Sequence, residues 1–123
     1  MSCPFCHLAL DKILEENEEA FAFYDLYPVQ KGHTLIVPKR HIITYFEATE
    51  TEILSIHRLL TSRKKVLDKE LQPDGYNIGV NVGEAGGQTV PHLHVHLIPR
   101  YNGDIEDPRG GIRKAIPNLV SYP

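Results

Sequence analysis

No run of apolar residues in this chain of 123 approaches the roughly 20 that span a bilayer, so a transmembrane helix is not expected. Basic charge is not in excess either. The formal net charge is −3, whereas nucleic-acid-binding domains carry a clear basic surplus, and a nucleic-acid surface is therefore not expected. Internal repeats and low-complexity segments are missing, which leaves repeat architectures without support. The opening Met1-Ser2-Cys3-Pro4-Phe5-Cys6 lacks the basic-then-apolar design of a secretory signal, and the expected compartment is the cytosol. Cysteine is scarce, with both copies in that opening. In a reducing compartment a C-x-x-C is more often a redox pair or half of a metal site than a structural disulfide.

What is present suits one soluble domain over residues 1–123: 41% of the residues are hydrophobic and 24% charged. The stretch from His7 to Glu16, with Leu8, Ala9, Ile13 and Leu14, reads as a short helix. The apolar run Ala20 to Tyr24 and the β-branched run His33 to Val37 read as antiparallel strands across the turn residues Tyr27 to Gly32. From Thr49 to Leu71, apolar residues recur at helical spacing, and Thr49 with Glu52 forms a capping-box pattern. His57 within it is read as structural or solvated. After the turn Pro73-Asp74-Gly75 come strands over Tyr76 to Val82 and Val90 to Ile98, joined by the glycine-rich stretch Gly83 to Gly87. From about residue 101 the Gly- and Pro-rich tail is expected to run extended. The fold class is α+β, a mainly antiparallel five-stranded sheet with one short and one long helix.

The chemistry concentrates in His92-Leu93-His94-Val95-His96. Side chains alternate along a strand, so the three imidazoles share one face and the apolar residues the other. Imidazole rings need partners for both nitrogens, which makes an idle row of three costly. Three readings stand beside one another: a polar face that happens to be histidine, a metal site, and nucleophilic catalysis. In the last, a neutral imidazole attacks phosphorus while a neighbour assists the leaving group. The preceding Asn81 to Thr89 segment favours catalysis, because glycines let backbone N–H groups approach an anion.

His-Leu-His-Val-His-Leu-Ile, preceded by Gly-Gly-Gln-Thr-Val, resembles the signature of the histidine triad family of nucleotide hydrolases and transferases. Asp25-Leu26, Pro28 and the block Lys31 to His41 resemble its other characteristic segment. The resemblance implies a histidine-triad-like fold. It implies that His94 is the nucleophile, that His96 assists the leaving group, that His92 orients His94 through its carbonyl, and that His33 supports the row. It further implies phosphate contacts from Asn81, Gly87, Gln88 and Thr89, a ribose contact from Asp25, and a base border of Phe5, Phe23 and Leu26. Members that begin Cys-x-x-Cys hold a structural zinc, which here implies Cys3, Cys6, His41 and His92 as ligands, with His7 as a substitute donor; no catalytic metal is implied. The family is usually a homodimer with a sheet continued across both copies, which would cover an exposed edge.

The implied activity is cleavage at the α-phosphate of a purine nucleotide conjugate, a dinucleoside polyphosphate or a nucleoside phosphoramidate, through a nucleotidyl-histidine intermediate. Arg100, Arg109 and Arg113 are candidates to reach further phosphates. The competing readings are a catalytically idle nucleotide-binding or scaffold protein of the same fold and a hydrolase with zinc on the three histidines.

Overall fold

The computed structural model describes residues 3–116, so the first two positions and 117–123 of the expected single domain lie outside the described residues. A five-stranded antiparallel sheet is built from β1 (Glu15–Glu16), β2 (Ala20–Tyr24), β3 (Thr34–Pro38), β4 (Gly75–Val80) and β5 (Val95–Arg100). Their spatial order is β1-β2-β3-β5-β4. One long helix, α1 (Glu50–Leu71), joins β3 to β4 and covers one face of the sheet.

Alternation sorts the side chains into two cores. Ala20, Ala22, Ile36, Leu93 and Val95 pack beneath Ile56 and Leu59 of α1. On the other face Phe21, Phe23, Leu35 and Val37 pack beneath Phe5, Leu8 and Ile13 of the N-terminal segment. The register places Leu35 opposite both Phe23 and His96, so His96 shares this second face, and the Phe5 ring, 5.8 Å from His92 and 5.1 Å from His94, brings the other two histidines to it.

The capping box is formed: Glu52 N–H donates to Thr49 Oγ1 at 3.1 Å and Thr49 N–H to Glu52 Oε1 at 2.9 Å. Glu52, 2% exposed, also receives Arg40 through Nε and Nη2 at 3.0 and 2.8 Å, which fastens the helix start to the chain after β3. At the other end Gly32 has φ of +87°, and a Cβ there would stand 2.7 Å from Leu71 Cδ1. Glycine at this turn lets β3 start hard against α1.

Three expectations need correction. The short helix expected over His7 to Glu16 is only a 3-10 turn at Leu10–Lys12, because Leu14 N–H donates to Ala22 and the chain pairs with β2 as the fifth strand. The last strand begins at Val95 rather than Val90. His92 and His94 lie in its lead-in, which bends at His92, whose N–H donates to the Val90 carbonyl, and Leu93 N–H donates to Ile42 instead of to a strand neighbour. As far as residue 116 the tail does not run extended: residues 101–110 turn repeatedly and end in a 3-10 helix at Gly111–Ala115. Asp104 folds back on Arg100, and Gly103, Gly110 and Gly111 take positive φ.

Candidate active site

Hydrogen bonds fix the state of each imidazole. A carbonyl only accepts, so His94 Nδ1, 2.8 Å from the His92 carbonyl, carries the proton. Nε2 of His94 then holds the lone pair, the form a nucleophile requires. His94 is buried, with the Phe5 ring 5.1 Å away and tilted edge-on.

His96 is set by a longer chain of reasoning. Val29 N–H donates to His33 Nδ1 at 3.2 Å, so His33 is protonated on Nε2. That nitrogen lies 2.9 Å from His96 Nδ1, which must accept, and the His96 proton is therefore on Nε2. His96 Nε2–H is buried and has no partner among the described residues. A buried donor without a partner costs free energy, and one at a reactive centre is a donor kept for a ligand. Burial first, then His94 and His33, pulls the His96 pKa down to about 4, so the ring is neutral at pH 7. Burial also lowers His33, against the pull of Asp25, whose Oδ2 is 3.4 Å from His33 Nε2.

Asp25, His33 and His96 stand close enough to hold a metal. The tautomers oppose it: an ion on His33 Nε2 would force the proton onto Nδ1, where it would face the Val29 N–H donor.

The Cys2His2 set is different. Cys3, Cys6, His41 and His92 offer ligand atoms all within 4.8 Å of one another. His92 Nε2–H donates to the Pro38 carbonyl at 2.9 Å, leaving Nδ1 unprotonated and directed at the two sulfurs, 3.4 and 3.5 Å away; Cys6 Sγ is 3.2 Å from His41 Nδ1. Tetrahedral Zn–S and Zn–N bonds would set such edges at about 3.5 Å. The four residues can hold a metal, and the carbonyl behind His92 is the outer-shell support such ligands use. His7 is exposed and outside this group.

The loop after β4 braces itself. Gln88 Oε1 accepts from Gly83 N–H at 3.0 Å, and Nε2 donates to the carbonyls of Ile43 and Val90 at 2.7 and 3.0 Å. Gly87 and Gln88 N–H donate to Glu84 and Gly83 carbonyls. Asn81 and Thr89 are exposed beside them. Phe23, 2% exposed, backs the Phe5 ring at 5.3 Å, while Leu26 stands at the rim, 64% exposed. Arg100 is occupied: Asp104 takes it at 2.7 and 2.8 Å and Asn77 Oδ1 at 2.5 Å. Arg109 pairs with the exposed Asp107.

The structure thus gathers His33, His92, His94 and His96, with Asp25 and the Cys2His2 set, into one region. Sequence reasoning missed the Val29 N–H and the Pro38 carbonyl, which set the tautomers of His33 and His92. Both are backbone groups, and side-chain identity carries no signal for them.

A HIT domain model matches residues 9–103. An uncharacterized HIT-like protein of Methanocaldococcus jannaschii is 42% identical over 108 residues, 85% of this chain and 83% of that protein. The crystal structure of a Zn-bound histidine triad family protein from Mycobacterium smegmatis superposes with a TM-score of 0.76 at 33% identity, covering 85% of this chain and 78% of that one. A relative named bis(5'-nucleosyl)-tetraphosphatase [asymmetrical], from Schizosaccharomyces pombe, is 35% identical over 86 residues, 70% of this chain but 47% of that protein. With the triad, the fold and the matched domain in agreement, the chain belongs to the HIT domain family.

Proposed function

We propose that the chain is a nucleotidyl hydrolase or transferase that cleaves a purine nucleotide conjugate, a dinucleoside polyphosphate or a nucleoside phosphoramidate, at its α-phosphate. The observation that carries this reading is the His94 tautomer, locked by the His92 carbonyl with the Nε2 lone pair available. His94 Nε2 attacks phosphorus, and the bond to the leaving atom breaks with its electron pair departing on that atom. His96 Nε2–H donates a hydrogen bond to the leaving atom and stabilises the charge it gains. An oxygen leaving group needs no proton; an amine takes one from solvent. Water then attacks the nucleotidyl-histidine, the N–P bond returns its pair to Nε2, and the water proton is lost to solvent.

Around that step, Asn81, Thr89 and the loop of Gly87 and Gln88 border the phosphate. Phe5 and Leu26 border the base, with Phe23 behind. Asp25 Oδ1 accepts from Tyr27 N–H at 3.0 Å, and a carboxylate has further lone pairs for ribose hydroxyls. The ion inferred at Cys3, Cys6, His41 and His92 is zinc, on the strength of the donor set and the Zn-bound relative. When bound it ties the N-terminal segment to the chain on either side of the site and takes no part in the reaction. No helix among the described residues is long and apolar enough to cross a membrane; a cytosolic location fits two free thiols. A homodimer is inferred from the open β4 edge, where Ile78 is 57% exposed.

The test is a screen of purified protein against AMP-linked conjugates, scoring each released leaving group. Turnover that disappears in His94→Ala supports the reading. Tight nucleotide binding with no turnover of any conjugate would overturn it in favour of a catalytically idle binding protein.

A further inference from the structure

A single turn brings the two cysteines to one spot: His7 N–H donates to the Cys3 carbonyl at 3.2 Å. Both sulfurs stand over the same nitrogen, His92 Nδ1, at 3.4 and 3.5 Å. With all ligand atoms of the set within 4.8 Å of one another, the sulfurs are neighbours. A C-x-x-C pair so placed can close into a disulfide, as those of thiol oxidoreductases do. The two thiols differ in access. Cys6 is exposed and Cys3 half-buried, and both are free. A thiol that ligates a divalent ion is deprotonated, and the thiolate is the form an oxidant attacks.

Between the cysteines stands Phe5. Its half-buried ring lies 5.1 Å from His94, 5.8 Å from His92 and 5.3 Å from Phe23. Among the described residues, the hydrogen bonds from segment 3–7 to the rest of the chain all start at a cysteine sulfur and end on His41 or His92. Without those sulfurs the residues around Phe5 keep only apolar contacts. His92 and His94 are held differently. His92 Nε2–H stays on the Pro38 carbonyl, and His94 Nδ1–H on the His92 carbonyl, neither of which involves a thiol.

Resting on the reading that this set holds zinc and that Phe5 borders the base, we propose that Cys3 and Cys6 form a reversible disulfide under a hydroperoxide, which releases the metal and weakens nucleotide binding through Phe5. The Cys6 thiolate attacks the distal oxygen of the hydroperoxide. The O–O bond breaks, its pair leaves on the other oxygen, and solvent protonates that oxygen. Cys6, oxidised by two electrons, is then a sulfenic acid. The Cys3 thiolate attacks its sulfur, the S–S bond forms, and hydroxide leaves and is protonated to water. A disulfide sulfur is no thiolate ligand, so only two imidazoles of the four donors remain. The loss falls on nucleotide affinity, since the tautomer of His94 is kept.

The experiment treats the full, zinc-loaded chain with hydrogen peroxide. It reads zinc released to a chromogenic chelator, a Cys3–Cys6 cross-link by peptide mapping, and the Kd of AMP by calorimetry. Release should match the cross-link, and Kd should rise by roughly three- to tenfold, the worth of an aromatic contact. Dithiothreitol with added zinc should restore both. Phe5→Ala should release zinc like wild type but bind AMP equally weakly before and after oxidation. Zinc retained under peroxide, or sulfinic acid formed without a cross-link, overturns the switch. Zinc release with an unmoved Kd overturns the coupling through Phe5, and loss of the circular dichroism of the folded chain on oxidation overturns a local switch. A chain that binds no AMP in either state overturns the nucleotide reading and this inference together.

Discussion

At the residue scale the site rests on who holds which proton. His94 is protonated on Nδ1 by necessity, since its partner is a carbonyl, and His96 on Nε2 because Val29 and His33 leave no other arrangement. His94→Ala should reduce turnover by several orders of magnitude while nucleotide binding persists, because it deletes the covalent route itself. A variant keeping more than about a tenth of the rate would contradict that role. The neutral His96 has a second consequence, for stability. Its folded pKa of about 4 lies below the ordinary 6.5. Between those values the unfolded chain binds a proton that the folded one refuses, so stability is lost as pH falls through this window. The loss approaches roughly 3 kcal/mol for His96 alone, at about 1.4 kcal/mol per pKa unit. Burial lowers His33 and His92 too, which adds loss of the same sign. Urea unfolding between pH 7 and 4, with chelator present throughout, should show this slope, and His96→Gln should flatten it. An unchanged slope in the variant would mean His96 titrates normally.

At the scale of elements, α1 and the N-terminal segment depend on short-range devices. Thr49→Ala removes one side of the capping box and should lower stability by about 1 kcal/mol. Glu52→Ala should cost more, since buried Glu52 serves both the cap and Arg40. Thermal melts of both would rank them; equal losses would show that the Arg40 contact adds nothing. The double change Cys3→Ser with Cys6→Ser should abolish binding of about one metal ion per chain, read by elemental analysis, and lower Tm. Full metal content in that variant would remove the cysteines from the ligand set. The helix, its cap and the paired strands β2 and β3 were legible because periodicity and capping are local signals. The strand β1 was not, since Glu15 and Glu16 owe their conformation to pairing with Phe21 and Ala22. Nor was the 3-10 helix of the tail, which depends on glycines and on Asp104 reaching Arg100. The histidine row was read correctly in its facing, although His92 and His94 precede the strand proper. The loop role of Gln88, and the occupied state of Arg100, depend on partners far along the chain or across the sheet.

At the scale of the whole molecule, one sheet separates two tasks. The face under α1 supplies most of the buried aliphatic core, and the opposite face carries Phe5, the metal-ligand set and the triad. His92 joins them: its ring faces the thiols while its carbonyl holds His94. If β4 pairs with a second copy, light scattering should give twice the mass of 13.9 kDa, and a monomer at all concentrations would refute the pairing. The claim on which the rest turns is the covalent intermediate at His94. Its direct measurement is rapid quenching in base during turnover of a conjugate labelled at the α-phosphate, followed by peptide mapping without exposure to acid. The account requires label on the peptide containing His94, stable to base, labile to acid, and missing from His94→Ala. Steady turnover with no protein-bound label at any quench time, or label on another residue, would contradict it.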